Sequence, residues 1–369
     1  MNVFMHSPMH YEYMCGLGNA LEQISDLRVT FFSVEDFYYR DYIKFQLIDQ
    51  YPDSARYRGK FSKLLPHLRA LASFMGKLVS DRPDVLHVQG FRHHGIDWPI
   101  LITAKLLGTR TVLTVHNLLP HETKPGDRLI FELIYRFVDH LIAHTHHTAA
   151  KLVEQMNVKP DKITIIPHGT LEFQLRPAIN RKVARNYLSI REDVTVLLFF
   201  GRIREYKGLD LLVEAVQRID DPTVKLVIAG HDSIGLGSRI GTDDRIIFHG
   251  DFIDQSEVRY YFAAADLVVL PYRKIDQSGV LLLAISSGRP VLGTNVGGIG
   301  EIIEDGVNGF LCEPDNGESL TDKLVEILAR RSDLDAIGEK CKKSVNDNFC
   351  WDSVATQTAA VYRDLTRSR

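Results

Sequence analysis

Cysteine is scarce in this 369-residue chain: Cys15, Cys312, Cys341 and Cys350 are its four, and no two stand at C-x-x-C spacing. That excludes the common zinc frames and a thioredoxin-like redox motif, and it fits free thiols in a reducing compartment. No run approaches the roughly 18 apolar residues of a membrane span. The opening Met-Asn-Val-Phe-Met-His lacks the cationic, apolar and small-residue zones of a signal peptide, so a cytoplasmic protein is expected. Neither sign of charge is in excess: 44 Lys and Arg against 47 Asp and Glu leave a net charge of −3. A chain that clings to nucleic acid is therefore excluded, and any basic surface must be local. Solenoid repeats and low-complexity tracts are absent as well. The first apolar run, Asn2–Met5, is followed by His6-Ser7-Pro8 and not by Gly-x-Gly-x-x-Gly, which argues against a nicotinamide-dependent oxidoreductase.

What is present is an ordinary globular composition, 45% hydrophobic and 25% charged, with a length that suits two domains. Short β-branched runs alternate with longer helical patterns, the rhythm of parallel sheets covered by helices. The rhythm occurs twice. Asn2–Met5, Val29–Val34, Val85–Gln89, Thr111–His116, Leu141–Ala143 and Ile163–Ile166 form the first set of predicted strands. Val194–Phe200, Val224–Ala229, Ile246–Phe248, Leu267–Leu270, Val291–Thr294 and Phe310–Cys312 form the second. Two Rossmann-like, doubly wound α/β domains facing across a cleft are expected, residues 1–172 and 173–350. Gly169 and Pro177 punctuate the boundary, and the helical spacing of Trp351, Val354, Ala355, Ala359 and Tyr362 predicts a terminal helix, 351–369, packed back on the first domain.

In doubly wound folds ligands sit at the carboxyl ends of strands, so the chemistry is sought in the loops that follow them. Strand Val194–Phe200 runs into Gly201-Arg202-Ile203-Arg204-Glu205-Tyr206-Lys207-Gly208, which sets two cations, Arg202 and Lys207, beside a strand-to-helix turn. An anionic ligand suits them, unless they pair with Glu205 and Asp210. Asp276-Gln277-Ser278-Gly279-Val280 opens an apolar helix whose free N–H groups suit a diphosphate, unless Ser278 serves only as a cap. Gly297, Gly298 and Glu301 follow a further strand on the same edge, where Glu301 also suits a helix's first turn.

The order Gly-Arg-x-x-x-x-Lys-Gly, Ser-Gly-Arg-Pro-Val, Gly-Gly-x-x-Glu-Ile-Ile and Asn-Gly-Phe-Leu resembles the donor domain of retaining GT-B glycosyltransferases of family 4, in a subgroup with a Gln-Ser-Gly pattern. The resemblance is specific over about Ile163 to Asp315 and extends in layout to nearly the whole chain. It implies that Arg202 and Lys207 hold a donor's diphosphate, that the loops at Gly201, Asp276 to Val280, Gly297, Gly298 and Glu301 bind the donor, and that His116 touches the donor sugar. It also implies that the early loop with Gly16 and Gly18, ahead of a helix Asn19–Ile24, faces the acceptor. The family's two glutamates, eight positions apart, fall here on Ile275 and Leu283, with Asp276 one residue from the first slot.

The implied function is transfer of a hexosyl unit from a UDP- or GDP-sugar to a saccharide or lipid-linked glycan acceptor, with retention, in bacterial polysaccharide or glycoconjugate synthesis. No cofactor and no obligatory metal are implied, and His144, His146 and His147 match no common zinc frame. Between Ser54 and Ser80, Arg56, Arg58, Lys60, Lys63, Arg69 and Lys77 stand among leucines and phenylalanines with no Glu or Asp until Asp81. That stretch suits either peripheral contact with the inner membrane leaflet or a helix packed on the first domain with a solvated basic edge. The rival from another class is a catalytically silent GT-B relative, a glycan-binding or partner subunit, which Ile275 and Leu283 favour. A paired-carboxylate hydrolase is disfavoured, because no two acids stand out for acid and nucleophile roles.

Overall fold

The structure, a computed structural model, describes residues 1–34, 38–51, 60–91, 97–120 and 123–367. It divides into two compact units: Met1–Gly169 with Phe349–Arg369, and Thr170–Asn348. The expected boundaries, 172/173 and 350/351, stand two or three residues further along the chain.

The first unit runs β1 (Asn2–His6), α1 (Tyr11–Leu21), β2 (Arg28–Val34), β3 (Gln46–Tyr51), α2 (Lys60–Asp81), β4 (Val85–Val88), α3 (Trp98–Leu106), β5 (Arg110–Val115), α4 (Asp127–Phe137), β6 (His140–Ala143), α5 (His146–Met156) and β7 (Ile163–Ile165). The second runs α6 (Arg181–Tyr187), β8 (Thr195–Phe200), α7 (Leu209–Arg218), β9 (Val224–Ala229), β10 (Ile246–His249), α8 (Val258–Ala264), β11 (Leu267–Leu270), α9 (Gly279–Ser286), β12 (Val291–Thr294), α10 (Ile299–Ile302), β13 (Phe310–Cys312), α11 (Gly317–Ala329) and α12 (Leu334–Asn348). Helix α13 (Trp351–Arg367) then returns to the first unit.

Both sheets are parallel among the described residues, in the orders β3-β2-β1-β4-β5-β6-β7 and β10-β9-β8-β11-β12-β13. The order reverses between β1 and β4 in one unit and between β8 and β11 in the other, and crevices for ligands open at the carboxyl ends of such strand pairs. Central strands such as β8 (TVLLFF) and β11 (LVVL) are buried throughout, as parallel strands covered by helices must be. Strand β3 has no counterpart among the predicted strands. It reads QLIDQY and lies at a sheet edge, half-exposed over much of its length, so it lacks the continuous apolar run of its neighbours.

Helix α13 packs on α1. Its Val354, Ala355, Ala359 and Tyr362 are buried, the Tyr362 hydroxyl lies 2.6 Å from His87 Nδ1, and Arg363 forks onto both oxygens of Asp26. Burying large apolar side chains contributes roughly 1.5–3 kcal/mol each, enough to hold a C-terminal helix against its fraying entropy.

The early glycines correct the expectation of an acceptor-facing loop. Gly16 and Gly18 lie inside α1 and are buried. A Cβ on Gly16 would sit 1.9 Å from Trp351 Cε2, and one on Gly18 would sit 2.2 Å from Phe45 Cε1. They admit two aromatic rings against the helix, and the favourable packing outweighs the roughly 0.5–1 kcal/mol that each glycine costs a helix. The pattern Tyr13, Met14, Leu17, Leu21 starts the helix eight residues before Asn19, where it was expected to begin.

Candidate functional site

In the second unit three loops meet at the carboxyl ends of β8, β11 and β12. β8 is followed by Gly201, whose φ of +97° is a left-handed conformation that glycine adopts without strain. The chain then makes a short 3-10 turn, Glu205–Lys207, and enters α7 through Gly208. A Cβ on Gly208 would sit 2.0 Å from the Pro271 carbonyl oxygen, so the first loop lies directly against the one that follows β11. Arg273 N donates to Tyr206 O at 2.8 Å across the same seam. The third loop is tied in by Gly298 N, which donates to Asp276 O at 3.0 Å, and by Gly297 (φ +53°), where a Cβ would meet Ile275 O at 1.9 Å.

Lys207 is the centre of this arrangement. It is 9% exposed, its Nζ lies 5.4 Å from the centroid of the Tyr272 ring, and a Cβ on Gly201 would come within 3.0 Å of that ammonium. Among the described residues neither Lys207 nor the exposed Arg202 has a carboxylate partner. The pairing with Asp210 that would have neutralised them does not form. Asp210 is held by both terminal nitrogens of Arg273, at 2.8 and 2.7 Å, and the same guanidinium reaches Asp315 at 2.7 Å. Burial, followed by the charges of Arg204 and Arg202, pushes the Lys207 pKa down to about 8. A buried ammonium without a counter-charge is costly, and a bound anion offsets that cost.

Helix α9 adds donors. Ser278 Oγ accepts from Leu281 N at 3.2 Å, an N-cap that satisfies one first-turn N–H and leaves those of Gly279 and Val280 without an intrahelical partner. A Cβ on Gly279 would meet nothing within 4 Å, whereas Val280 Cγ2 lies 3.5 Å from the Cβ position of Gly201. Gly201, Lys207, Asp276, Gly279, Val280, Gly297 and Gly298 are thus held on one edge, with the half-buried Gln277 between them. Glu301 is exposed in α10. Of the residues in the glutamate slots, Ile275 is half-buried and Leu283 lies in the packed face of α9, 7% exposed.

In the first unit His116 follows β5, as expected, but it offers no free ring nitrogen. His144 Nδ1 donates to Ile166 O at 2.9 Å, so a neutral His144 accepts at Nε2 from His116 Nδ1, 3.3 Å away. His116 Nε2 lies 3.1 Å from Gln89 Oε1, and with Nδ1 donating to His144 this contact pairs only when the amide is flipped to turn its NH2 toward the ring. Burial, then the neighbouring His10, His144, His168 and His87, hold the His116 pKa well below its usual value.

The residue missed in the sequence is His10. Its ring stacks on His116 at 3.8 Å and 17°, and it lines a cavity of about 410 Å3 at the carboxyl ends of β4 and β5. Its only sequence signal is its position four residues past β1. Among the described residues no group of three His, Cys, Asp or Glu is placed to hold a metal, and His146 and His147 start α5 behind the N-cap Thr145.

The family described as Glycosyltransferase Family 4 matches residues 13–170, and that described as Glycosyl transferases group 1 matches 194–330. Each unit carries a glycosyltransferase domain. A D-inositol 3-phosphate glycosyltransferase of Streptomyces scabiei is 31% identical over 256 residues, 65% of this chain and 57% of that protein. The chain spans little more than half the length of such relatives. Among solved structures, sucrose-phosphate synthase of Thermosynechococcus elongatus superposes with a TM-score of 0.78 at 20% identity, covering all of both chains. Anabaena HepE in complex with UDP-glucose does so with 0.76 at 18%, covering 99% of this chain and all of that one. These likenesses establish the GT-B fold, two parallel-sheet α/β units. The group 1 match covers Arg202, Lys207 and α9, and the family 4 match covers His116 and begins three residues after His10.

Proposed function

We propose that the protein is a retaining glycosyltransferase that moves a hexosyl unit from a UDP- or GDP-sugar to a hydroxyl of a saccharide or lipid-linked acceptor. The observation that carries this reading is Lys207: a buried ammonium with no counter-charge, over Gly201 and beside the open N-terminus of α9. Arg202, Lys207 and the N–H groups of Gly279 and Val280 are the groups that would stabilise the charge building on a departing diphosphate, so catalysis is aimed at the leaving group. No enzymatic nucleophile is required, and the released phosphate oxygen is itself a base for the acceptor's proton. The UDP-glucose in HepE and the sugar-transfer names of the relatives agree with such a donor.

Peripheral contact with the anionic inner leaflet, at a cytoplasmic location, is part of the same reading. Helix α2 exposes Leu64, Leu65 and Leu68 near Arg69 and Lys77. Arg56 and Arg58 lie outside the described residues, as do the side chains of Lys60 and Lys63. The pathway, bacterial polysaccharide or glycoconjugate synthesis, and the absence of a cofactor belong to the proposal too.

The test is calorimetric titration of the full chain with UDP, GDP, ADP and TDP beside their monophosphates. One diphosphate should bind selectively, and Lys207→Ala should weaken it by about 1.5–3 kcal/mol, the worth of a charge-assisted hydrogen bond. Unchanged affinity in the variant would remove the phosphate assignment. No binding at all would favour the silent relative, to which the apolar Ile275 and Leu283 already point.

A further inference from the structure

His10 has a backbone that glycine would adopt more easily. At φ 60° and ψ 49° it sits in the left-handed region at the start of α1, at the carboxyl end of the switch-point strand β1. Strain of this kind persists where the side chain is put to use. The ring is fixed from one side by its stack on His116, and it passes over Gly90, whose Cβ position lies 3.4 Å from His10 Cδ2. Among the described residues neither ring nitrogen of His10 has a hydrogen-bond partner. Burial, followed by the charge of His168, pushes its pKa down to about 4, so it meets a ligand as a neutral imidazole that donates at one nitrogen and accepts at the other.

The cavity it lines is walled by Leu113, Val115, Leu119, Pro120 and Phe131, and at about 410 Å3 it falls in the range of small-molecule pockets. Most of its polar lining is already committed. Gln89 and Thr114 bond to His87, His116 to His144, Asp127 to the Lys124 N–H, and the Tyr135 hydroxyl to Leu118 O. A sugar ring carries a hydroxyl on nearly every carbon and, buried here, would leave most of them unpaired, at a cost for each. A hydrocarbon or aromatic group would leave none.

We infer that this cavity holds an apolar group of the acceptor and that His10 hydrogen-bonds the acceptor beside it. The inference rests on the glycosyltransferase reading for the word acceptor, but the cavity is testable without it. His10 is then a binding residue that selects acceptors carrying an apolar portion over free sugars.

The experiment is calorimetric titration of the full chain with n-octyl β-D-glucoside, below its micelle concentration, and with glucose. Wild type, His10→Gly and Leu119→Trp are compared, each also titrated with UDP and GDP. The glucoside should bind at one site and glucose should not. Filling the cavity with Leu119→Trp, or removing the imidazole with His10→Gly, should weaken the glucoside at least tenfold and leave nucleotide affinity unchanged. Glycine relieves the left-handed backbone, so His10→Gly should melt no earlier than wild type, which separates lost binding from lost folding. Equal binding of glucose, no binding of the glucoside, or glucoside binding indifferent to both substitutions would overturn the inference, the last placing the detergent on another surface such as the leucines of α2. Glucoside binding that responds as stated, with no nucleotide bound, would keep the cavity and remove the donor reading.

Discussion

The two units share one strand order and one switch point, yet they prepare opposite environments there. In the first unit His10, His116, His144 and His168 lie with ring centroids a few ångströms apart, all held neutral by burial, beside an apolar cavity. In the second, the equivalent crevice holds the unpaired Lys207 with Arg202 and a helix N-terminus, while the nearby carboxylate Asp210 is drawn off by Arg273. Topology therefore decides where a ligand goes, and side chains decide which ligand. One crevice is poor in available polar groups, and the other is short of one anion.

The largest effect that would break this comparison is acidification. His6, His10 and His168 are lowered to about 4 and His87 to about 3, each chiefly by burial. Below pH 6.5 the unfolded chain takes up protons that the folded unit refuses, so stability is present above that pH and is lost as the pH falls toward 4. At pH 5 the loss is about 2 kcal/mol for each such histidine. Scanning calorimetry at pH 7 and pH 5 should show the first unit's transition moving down by far more than the second's. Equal shifts would mean that the imidazoles are not held neutral by the fold.

In the second unit stability also rises with pH, but in an alkaline window. Lys207 is lowered from 10.5 to about 8, so its charge opposes folding, fully below pH 8 and decreasingly up to pH 10.5. Two and a half pKa units correspond to about 3 kcal/mol. Lys207→Met should therefore raise stability in urea by up to about that amount at pH 7 while weakening diphosphate binding by about the 1.5–3 kcal/mol expected of Lys207→Ala. Wild-type affinity for UDP should itself fall between pH 7 and pH 9 as the free ammonium deprotonates. A variant of unchanged stability would mean that the charge is already compensated within the unit.

How much of this was legible in the sequence follows from how local each cause is. Central strands are buried on both faces and announce themselves as apolar runs, so β1, β8 and β11 were readable, whereas the edge strand β3 alternates with polar residues and was not. The cations of the Gly201–Gly208 loop were readable because they stand a few residues apart on one turn. That Asp210 leaves them for Arg273, 63 residues away, was not readable, since the tertiary fold makes that choice. His10 and the tautomer of His116 are set by contacts from β4, β5, β6 and the strand end at Ile166, and no spacing in the chain encodes them. Glycine misled most, because the same residue marks a turn, a cap or a close approach.

The smallest predicted effects use that ambiguity to sharpen the contrast between the units. Gly16→Ala drives a methyl to 1.9 Å from an indole carbon of Trp351, a ring that also lies 2.4 Å from the Cβ position of Gly169 and has no easy retreat. Overpacking of this kind costs about 1–3 kcal/mol, so the first unit should melt earlier while UDP affinity is unchanged. Gly279→Ala places its methyl in open space at the first turn of α9, and stability should stay within about 0.5 kcal/mol of wild type. That open space is where the diphosphate is proposed to dock, so UDP affinity should fall severalfold with no change in melting. If Gly279→Ala instead lowers the melting point and leaves UDP affinity alone, the start of α9 is a packing element like the middle of α1, and the diphosphate must be held by the cations of the Gly201–Gly208 loop without the helix.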